Sequence, residues 1–245
     1  LPLKKIPSTT AKATNLSATA ACLLRYQKSN KPIWLLMGGV FKEYDFSAMV
    51  PLQLENSLES LNLIKTLIVG GGAVSSPLKD KLQGVSSKVF ATYGMTETIT
   101  HIAVKKLNNL NTTPSFYEIL PNVEIYKDLR NCLIIDAPEV SNEIVFTNDI
   151  VHLISDTQFE WLGRFDSIIN SGGVKLYPEK IEAELSKIIT SRFFVAGVSD
   201  VKLGEKLILI IEGESKSIEI ENLNLSKFEI PKEVYFIHTF IETET

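Results

Sequence analysis

Two stretches of the chain concentrate residue types able to do chemistry. The first is Thr92-Tyr93-Gly94-Met95-Thr96-Glu97-Thr98. Gly94 lets the backbone approach a ligand closely, or take a φ that other residues resist. The flanking hydroxyls can bond a phosphate oxygen, the Glu97 carboxylate can hold Mg²⁺, and the Tyr93 ring can stack on a base. Taken alone, the pattern also fits an ordinary turn. The second stretch runs from Gly163-Arg164-Phe165-Asp166 through Ser171-Gly172-Gly173 to Pro178-Glu179-Lys180-Ile181-Glu182. It combines a cation, several carboxylates and a glycine pair within twenty residues.

These residues need elements to hold them. The apolar segment 31–41, ending on Gly38-Gly39, suits a strand running into a turn. Segment 46–61 carries Leu54, Leu58 and Leu61 at helical spacing after Pro51. Segment 63–69 reads as a buried strand that breaks into Gly70-Gly71-Gly72-Ala73, after which Ser75-Ser76-Pro77 starts a helix with a hydroxyl cap and an early proline. A strand over 88–92 delivers Tyr93-Gly94. Strand, glycine loop, helix and strand form the grammar of an α/β sheet, whose ligands gather beyond the carboxyl ends of the strands. From about residue 115 the spacing predicts short antiparallel strands at 123–126, 132–136, 143–146, 150–155 and 160–163. A strand at 168–169, an amphipathic helix over 178–190 and strands at 193–198, 207–212 and 233–237 make a small α+β unit.

The two stretches, in this order and at this separation, resemble the motifs of the adenylate-forming superfamily of acyl-CoA synthetases, adenylation domains and luciferases. The resemblance covers residues 46–245. Within the superfamily, Tyr-Gly-Met-Thr-Glu-Thr, the Ile169-Asn170-Ser171-Gly172-Gly173 loop and the compact C-terminal unit most resemble the o-succinylbenzoate–CoA ligases of menaquinone synthesis. The fold implied is α/β, with a large but incomplete N-terminal adenylation domain over 1–165 that includes a β subdomain, and a small α+β lid over 166–245. The resemblance also implies roles. Gly70, Gly71, Gly72 and Ala73 would border the adenine and the acyl group, with Tyr93, Gly94 and Met95 around the base. Thr96 would bond a phosphate oxygen, and Glu97 would be the metal ligand for Mg²⁺. Asp149 would accept the ribose hydroxyls, with Arg164 nearby. Asn148 stands where the family usually has Gly, a change an Asn tolerates because it adopts unusual backbone angles. Asp166 would be the hinge, Gly172 and Gly173 would line the pantetheine tunnel, and 46–51 would be the helix start that walls the acyl pocket. His101 would face the substrate only if a helix continued past Glu97; it, His152 and His238 read as structural.

Composition narrows the partners. The net charge of −4 argues against a nucleic-acid-binding surface. Cys22 and Cys132 lack metal-type spacing and read as reduced thiols. No apolar run reaches the ~18–20 residues of a membrane span, and the N-terminus has neither an initiator Met nor a secretory core. A cytoplasmic protein is expected, of open oligomeric state. Two family elements have no counterpart here. Pro7-Ser8-Thr9-Thr10-Ala11-Lys12 lacks the glycines of a phosphate loop. The family's Gly-Lys does not follow Thr245. The expectation is that mobile segments have been omitted from this sequence; a chain truly this short would adenylate poorly.

The reaction implied is a two-step ligation: a carboxylic acid and ATP form an acyl-adenylate, and coenzyme A then takes the acyl group after the lid rotates. The alternatives are another aryl- or acyl-CoA ligase, a domain loading a carrier protein, or a nucleotide-binding module without catalysis.

Overall fold

The computed structural model describes residues 43–109, 116–218, 220 and 223–241. The expected strand at 31–41 and segment 7–12 lie outside the described residues.

Three parallel strands open the fold: β1 (Tyr44–Met49), β2 (Ile64–Val69) and β3 (Lys88–Gly94). β2 buries Ile64, Leu67, Ile68 and Val69, as a strand covered on both faces requires. Helix α1 (Pro51–Glu55) and a 3₁₀ segment (Leu58–Leu63) connect β1 to β2, and α2 (Ser76–Lys81) connects β2 to β3. Ser75 caps α2, its hydroxyl oxygen accepting from Leu78 N at 3.4 Å. The single helix expected over 46–61 is therefore not formed: strand, a five-residue helix and a 3₁₀ segment take its place. Residues 46–49 are strand, because the residue before a proline is pushed into extended conformation and Pro51 suits the first helical turn.

The strands β4 (His101–Lys106), β5 (Tyr117–Ile119), β6 (Glu124–Lys127), β7 (Cys132–Asp136), β8 (Val145–Ser155) and β9 (Gln158–Arg164) are joined antiparallel. They do not stand apart as a separate sheet. All belong with β1–β3 to one nine-stranded sheet of order β1-β2-β3-β4-β5-β9-β8-β7-β6. The two strands expected at 143–146 and 150–155 are one long strand, β8, whose register shifts against both neighbours absorb the break in its pattern.

A second sheet begins five residues after the first ends. It contains β10 (Ile169–Ser171), β11 (Val174–Leu176), β12 (Phe193–Asp200), β13 (Gly204–Glu212) and β14 (Glu233–Ile237). Helix α3 (Pro178–Leu185) packs Ile181 and Leu185 onto it. This helix stops short of the expected 190, in a turn where Ile189 N reaches back to Leu185 O. Among the described residues, three apolar clusters form the core: one around β1–β3, one around Ile102, Leu133, Ile135 and Phe159, and one in the second sheet. Each fully buried Leu, Ile or Phe there contributes about 1.5–3 kcal/mol. Strand β9 touches α3 through Arg164 N, which donates to Glu179 Oε1 at 3.3 Å, and helix α2 does so through Ser76 Oγ, which donates to Ala183 O at 3.2 Å.

Candidate functional site

β3 delivers Thr92, Tyr93 and Gly94 at its carboxyl end, where the register against β4 shifts between Tyr93 and Gly94. A Cβ on Gly94 would lie 2.6 Å from both Thr100 O and His101 Cα. Glycine is needed here for the close passage of β4, and its φ is not positive. Of the two uses expected for it, the unusual φ does not apply, and its place in the lining of the cleft described below leaves it open to a ligand.

Beyond Gly94 the chain turns tightly. Thr98 is wholly buried, and its hydroxyl accepts from Met95 N at 3.2 Å while its proton is shared between Thr100 O (2.8 Å) and Met95 O (3.1 Å). Ile99 takes φ 60°, ψ −38°, and Thr100 N donates to Thr98 O at 2.5 Å, which makes a strained three-residue turn. Thr96 and Glu97 are thereby left facing solvent. The second threonine of Thr96-Glu97-Thr98 is the one that shapes the loop. Sequence reasoning missed it, although its hydroxyl three residues after Met95 was a legible turn signal.

Tyr93 points the other way. Its hydroxyl donates to Asp149 Oδ2 at 2.5 Å, and its ring meets Phe159 edge-on at 5.2 Å and Tyr117 at 5.7 Å. Burial, and then the Asp149 carboxylate, push the phenol well above its ordinary value. Asp149 sits on β8 directly across from Arg164 on β9 and is 7% exposed. Its backbone N–H donates to Thr147 Oγ1 at 3.0 Å, and that hydroxyl donates to Leu133 O at 2.8 Å. Arg164 Nη1 lies 3.7 Å from Asp149 Oδ1, and its Nε lies 3.4 Å from Asp166 Oδ1. Asp166 is held below the usual carboxylate range by its own backbone N–H and then by Arg164. Tyr93, Asp149, Arg164 and Asp166 thus form one network where the first sheet ends.

Beside it, a cleft of about 100 Å³ opens at the carboxyl ends of β1, β2 and β3, lined by Met49, Val50, Gly70, Gly71, Thr92 and Gly94, with Met95, Thr100 and His101 on the far wall. This is where ligands of such sheets bind. Of segment 46–51, Ala48, Met49 and Val50 line it, at the end of a strand rather than the start of a helix. His101 lines it as well, with Nδ1 3.2 Å from Thr100 Oγ1, because β4 and not a helix follows Glu97. Gly72, Ala73, Thr96, Glu97, Gly172 and Gly173 lie outside its lining, and so do Tyr93, Asp149, Arg164 and Asp166 of the neighbouring network. Gly172 (φ 59°) and Gly173 (φ 82°) form the two-residue turn between β10 and β11, Ser171 pairing with Val174. Asn148 does not use its tolerance of unusual angles: it lies in β8 without a positive φ, and its Oδ1 accepts from Arg130 Nη1 at 3.1 Å.

Among the described residues no group of three or more His, Cys, Asp or Glu could hold a metal ion. An exposed Glu97 suits Mg²⁺ nonetheless, since that ion keeps several waters and takes one or two carboxylates plus substrate phosphates. Among the described residues no helix is long and apolar enough to cross a membrane.

No protein-family model matches the chain. A 2-succinylbenzoate–CoA ligase of Lactococcus lactis is 26% identical over 246 aligned positions, covering 91% of this chain and 54% of that protein. A crystal structure of an AMP-forming acyl-CoA synthetase/AMP-acid ligase II-like protein from Dyadobacter fermentans is 33% identical, with a TM-score of 0.51, over 84% of this chain and 63% of that one. The chain is a relative of the AMP-forming acyl-CoA ligases. The fold agrees: o-succinylbenzoate CoA synthetase of Bacillus subtilis, solved with its acyl-adenylate intermediate, superposes with a TM-score of 0.67 at 20% identity, over 90% of this chain and 51% of that enzyme. The chain spans about half the length of the curated ligases it matches.

Proposed function

We propose that the chain carries the nucleotide face and the lid of an ATP-dependent acid–CoA ligase acting on 2-succinylbenzoate in the cytoplasm, for menaquinone synthesis. The observation that carries this reading is the Asp149 carboxylate, buried and flanked by Tyr93 and Arg164, beside a cleft at the strand ends. A carboxylate so held is a ready acceptor for a ribose diol. Kinship with 2-succinylbenzoate–CoA ligases supports the choice of acid.

In this reading residues 1–165 bind the nucleotide and residues 166–245 form the lid. Tyr93 supports Asp149 and presents its ring edge to the base, while Gly70 and Gly71, with little side-chain bulk, leave room for adenine and the acyl group. Thr96, at the exposed rim, donates its hydroxyl to a phosphate oxygen. Glu97 would hold Mg²⁺, which when bound neutralises charge on the phosphates. The acid needs no base, being ionised already; positioning and charge neutralisation lower the barrier to its attack on the α-phosphorus, which breaks the α–β phosphoanhydride bond and leaves acyl-adenylate and pyrophosphate. Rotation about Asp166 then carries the bare Gly172-Gly173 turn towards the acyl-adenylate, where the absence of side chains leaves a path for the pantetheine arm of coenzyme A. Displacement of AMP by the thiol completes the turnover.

The test is acid-dependent exchange of labelled pyrophosphate into ATP by the full-length protein. 2-Succinylbenzoate should support exchange well above benzoate or a fatty acid. Exchange best supported by another acid would overturn the substrate, and ATP binding without exchange for any acid would overturn the ligase reading.

A further inference from the structure

Arg130 lies in the turn between β6 and β7, far from either motif in sequence, yet it contacts both β8 and the turn that follows β9. Asp128 fixes it twice: Oδ1 accepts from Arg130 N and from Cys132 N, each at 2.8 Å, and Oδ2 accepts from Arg130 Nε at 2.7 Å. The remaining fork of the guanidinium straddles β8 just before Asp149. Nη1 donates to Asn148 Oδ1 at 3.1 Å and Nη2 to Thr147 O at 3.3 Å. The guanidinium also stands 5.1 Å over the ring of Phe165, the residue between Arg164 and Asp166. One side chain therefore ties the strand carrying Asp149 to the turn that carries Asp166 and follows directly on Arg164.

As a surface ion pair with Asp128, 42% and 19% exposed, this arrangement would do little for stability. Its geometry is directional instead: a planar fork locked on one edge, bonding on the other and stacked on its face, which a lysine could not reproduce. We propose that Arg130 is a positioning residue for the ribose end of the nucleotide, acting through Asn148 and Phe165 to keep Asp149 and Arg164 aligned. This rests on the nucleotide reading above, with Asp149 as the ribose acceptor.

The experiment titrates AMP and 2′,3′-dideoxy-AMP onto the full-length protein by calorimetry, for wild type, Arg130→Gln, Arg130→Lys, Asn148→Gly and Phe165→Leu. Wild type should prefer AMP. Arg130→Gln should weaken AMP about 3–30-fold and change the dideoxy ligand less than about twofold, and Arg130→Lys should not restore the loss. Asn148→Gly and Phe165→Leu should each give part of the same selective loss, and should add little in the Arg130→Gln background. A loss equal for both ligands, or AMP affinity kept by Arg130→Gln, overturns the proposal while leaving the nucleotide site standing. Should Arg130→Gln not fold, Asn148→Gly and Phe165→Leu decide: no selective loss in either overturns it. Failure of wild type to bind AMP at all overturns the functional reading itself.

Discussion

Replacing Tyr93 by Phe removes a single oxygen. The ring contacts to Phe159 at 5.2 Å and Tyr117 at 5.7 Å survive the change. What goes is the donor 2.5 Å from Asp149 Oδ2, on a carboxylate only 7% exposed. A hydrogen bond to a charged group contributes about 1.5–3 kcal/mol, and the orphaned buried oxygen is the reason the loss falls at the upper part of that range. For a chain of this size 1 kcal/mol corresponds to roughly 2–4 °C in the unfolding midpoint, so a fall of about 4–12 °C is expected at pH 7. There is an alkaline signature too. The phenol is raised above its ordinary value in the fold, so above about pH 10 the unfolded chain gives up a proton that the folded one keeps. That contribution to stability is full below pH 10 and is lost as pH rises beyond it. Tyr93→Phe should flatten this alkaline decline, while Tyr117, raised by burial, keeps part of it. Differential scanning fluorimetry from pH 7 to 11 reads both effects. A midpoint unchanged within 1 °C together with an unchanged alkaline slope would refute the Tyr93–Asp149 bond.

Gly94→Ala puts a methyl 2.6 Å from Thr100 O and His101 Cα, backbone atoms that cannot step aside; a destabilisation of about 1–3 kcal/mol is expected in urea titration. Glu97→Ala, at an exposed position, should leave the unfolding midpoint within about 1 °C but weaken pyrophosphate exchange about tenfold or more, with the magnesium optimum shifted upward. Asp166→Pro should spare pyrophosphate exchange and slow thioester formation in single-turnover assays. Equal loss in both half-reactions would count against a hinge there.

Local chemistry was what the sequence made legible. Ser75 and Pro77 announced α2, the apolar run ending at Val69 announced β2, and the strands 132–136 and 233–237 emerged within their expected limits, since each is set by neighbours in the chain. Residues 46–49 misled because the helical spacing of Leu54, Leu58 and Leu61 invited extension back across Pro51, while the buried set Tyr44, Ser47 and Met49 has no clean alternation to mark a strand. The union of β6–β9 with the parallel strands was illegible, for it depends on β5 bridging β4 to β9 across distant sequence. The site divides the same way. Tyr93, Asp149, Arg164 and Asp166 could be picked out, yet that Tyr93 bonds Asp149 depends on two residues 56 positions apart being folded together. The need for Gly94 depends on β4, and Arg130 carries no motif at all.

A crystal structure of the full-length protein with a non-hydrolysable acyl-adenylate analogue addresses the account at its centre. The ribose hydroxyls should lie about 2.6–3.2 Å from the Asp149 carboxylate, with the adenine against Gly70-Gly71 and Tyr93. A ligand bound elsewhere, with Asp149 engaged only by Tyr93 and Arg164 as now, would contradict it.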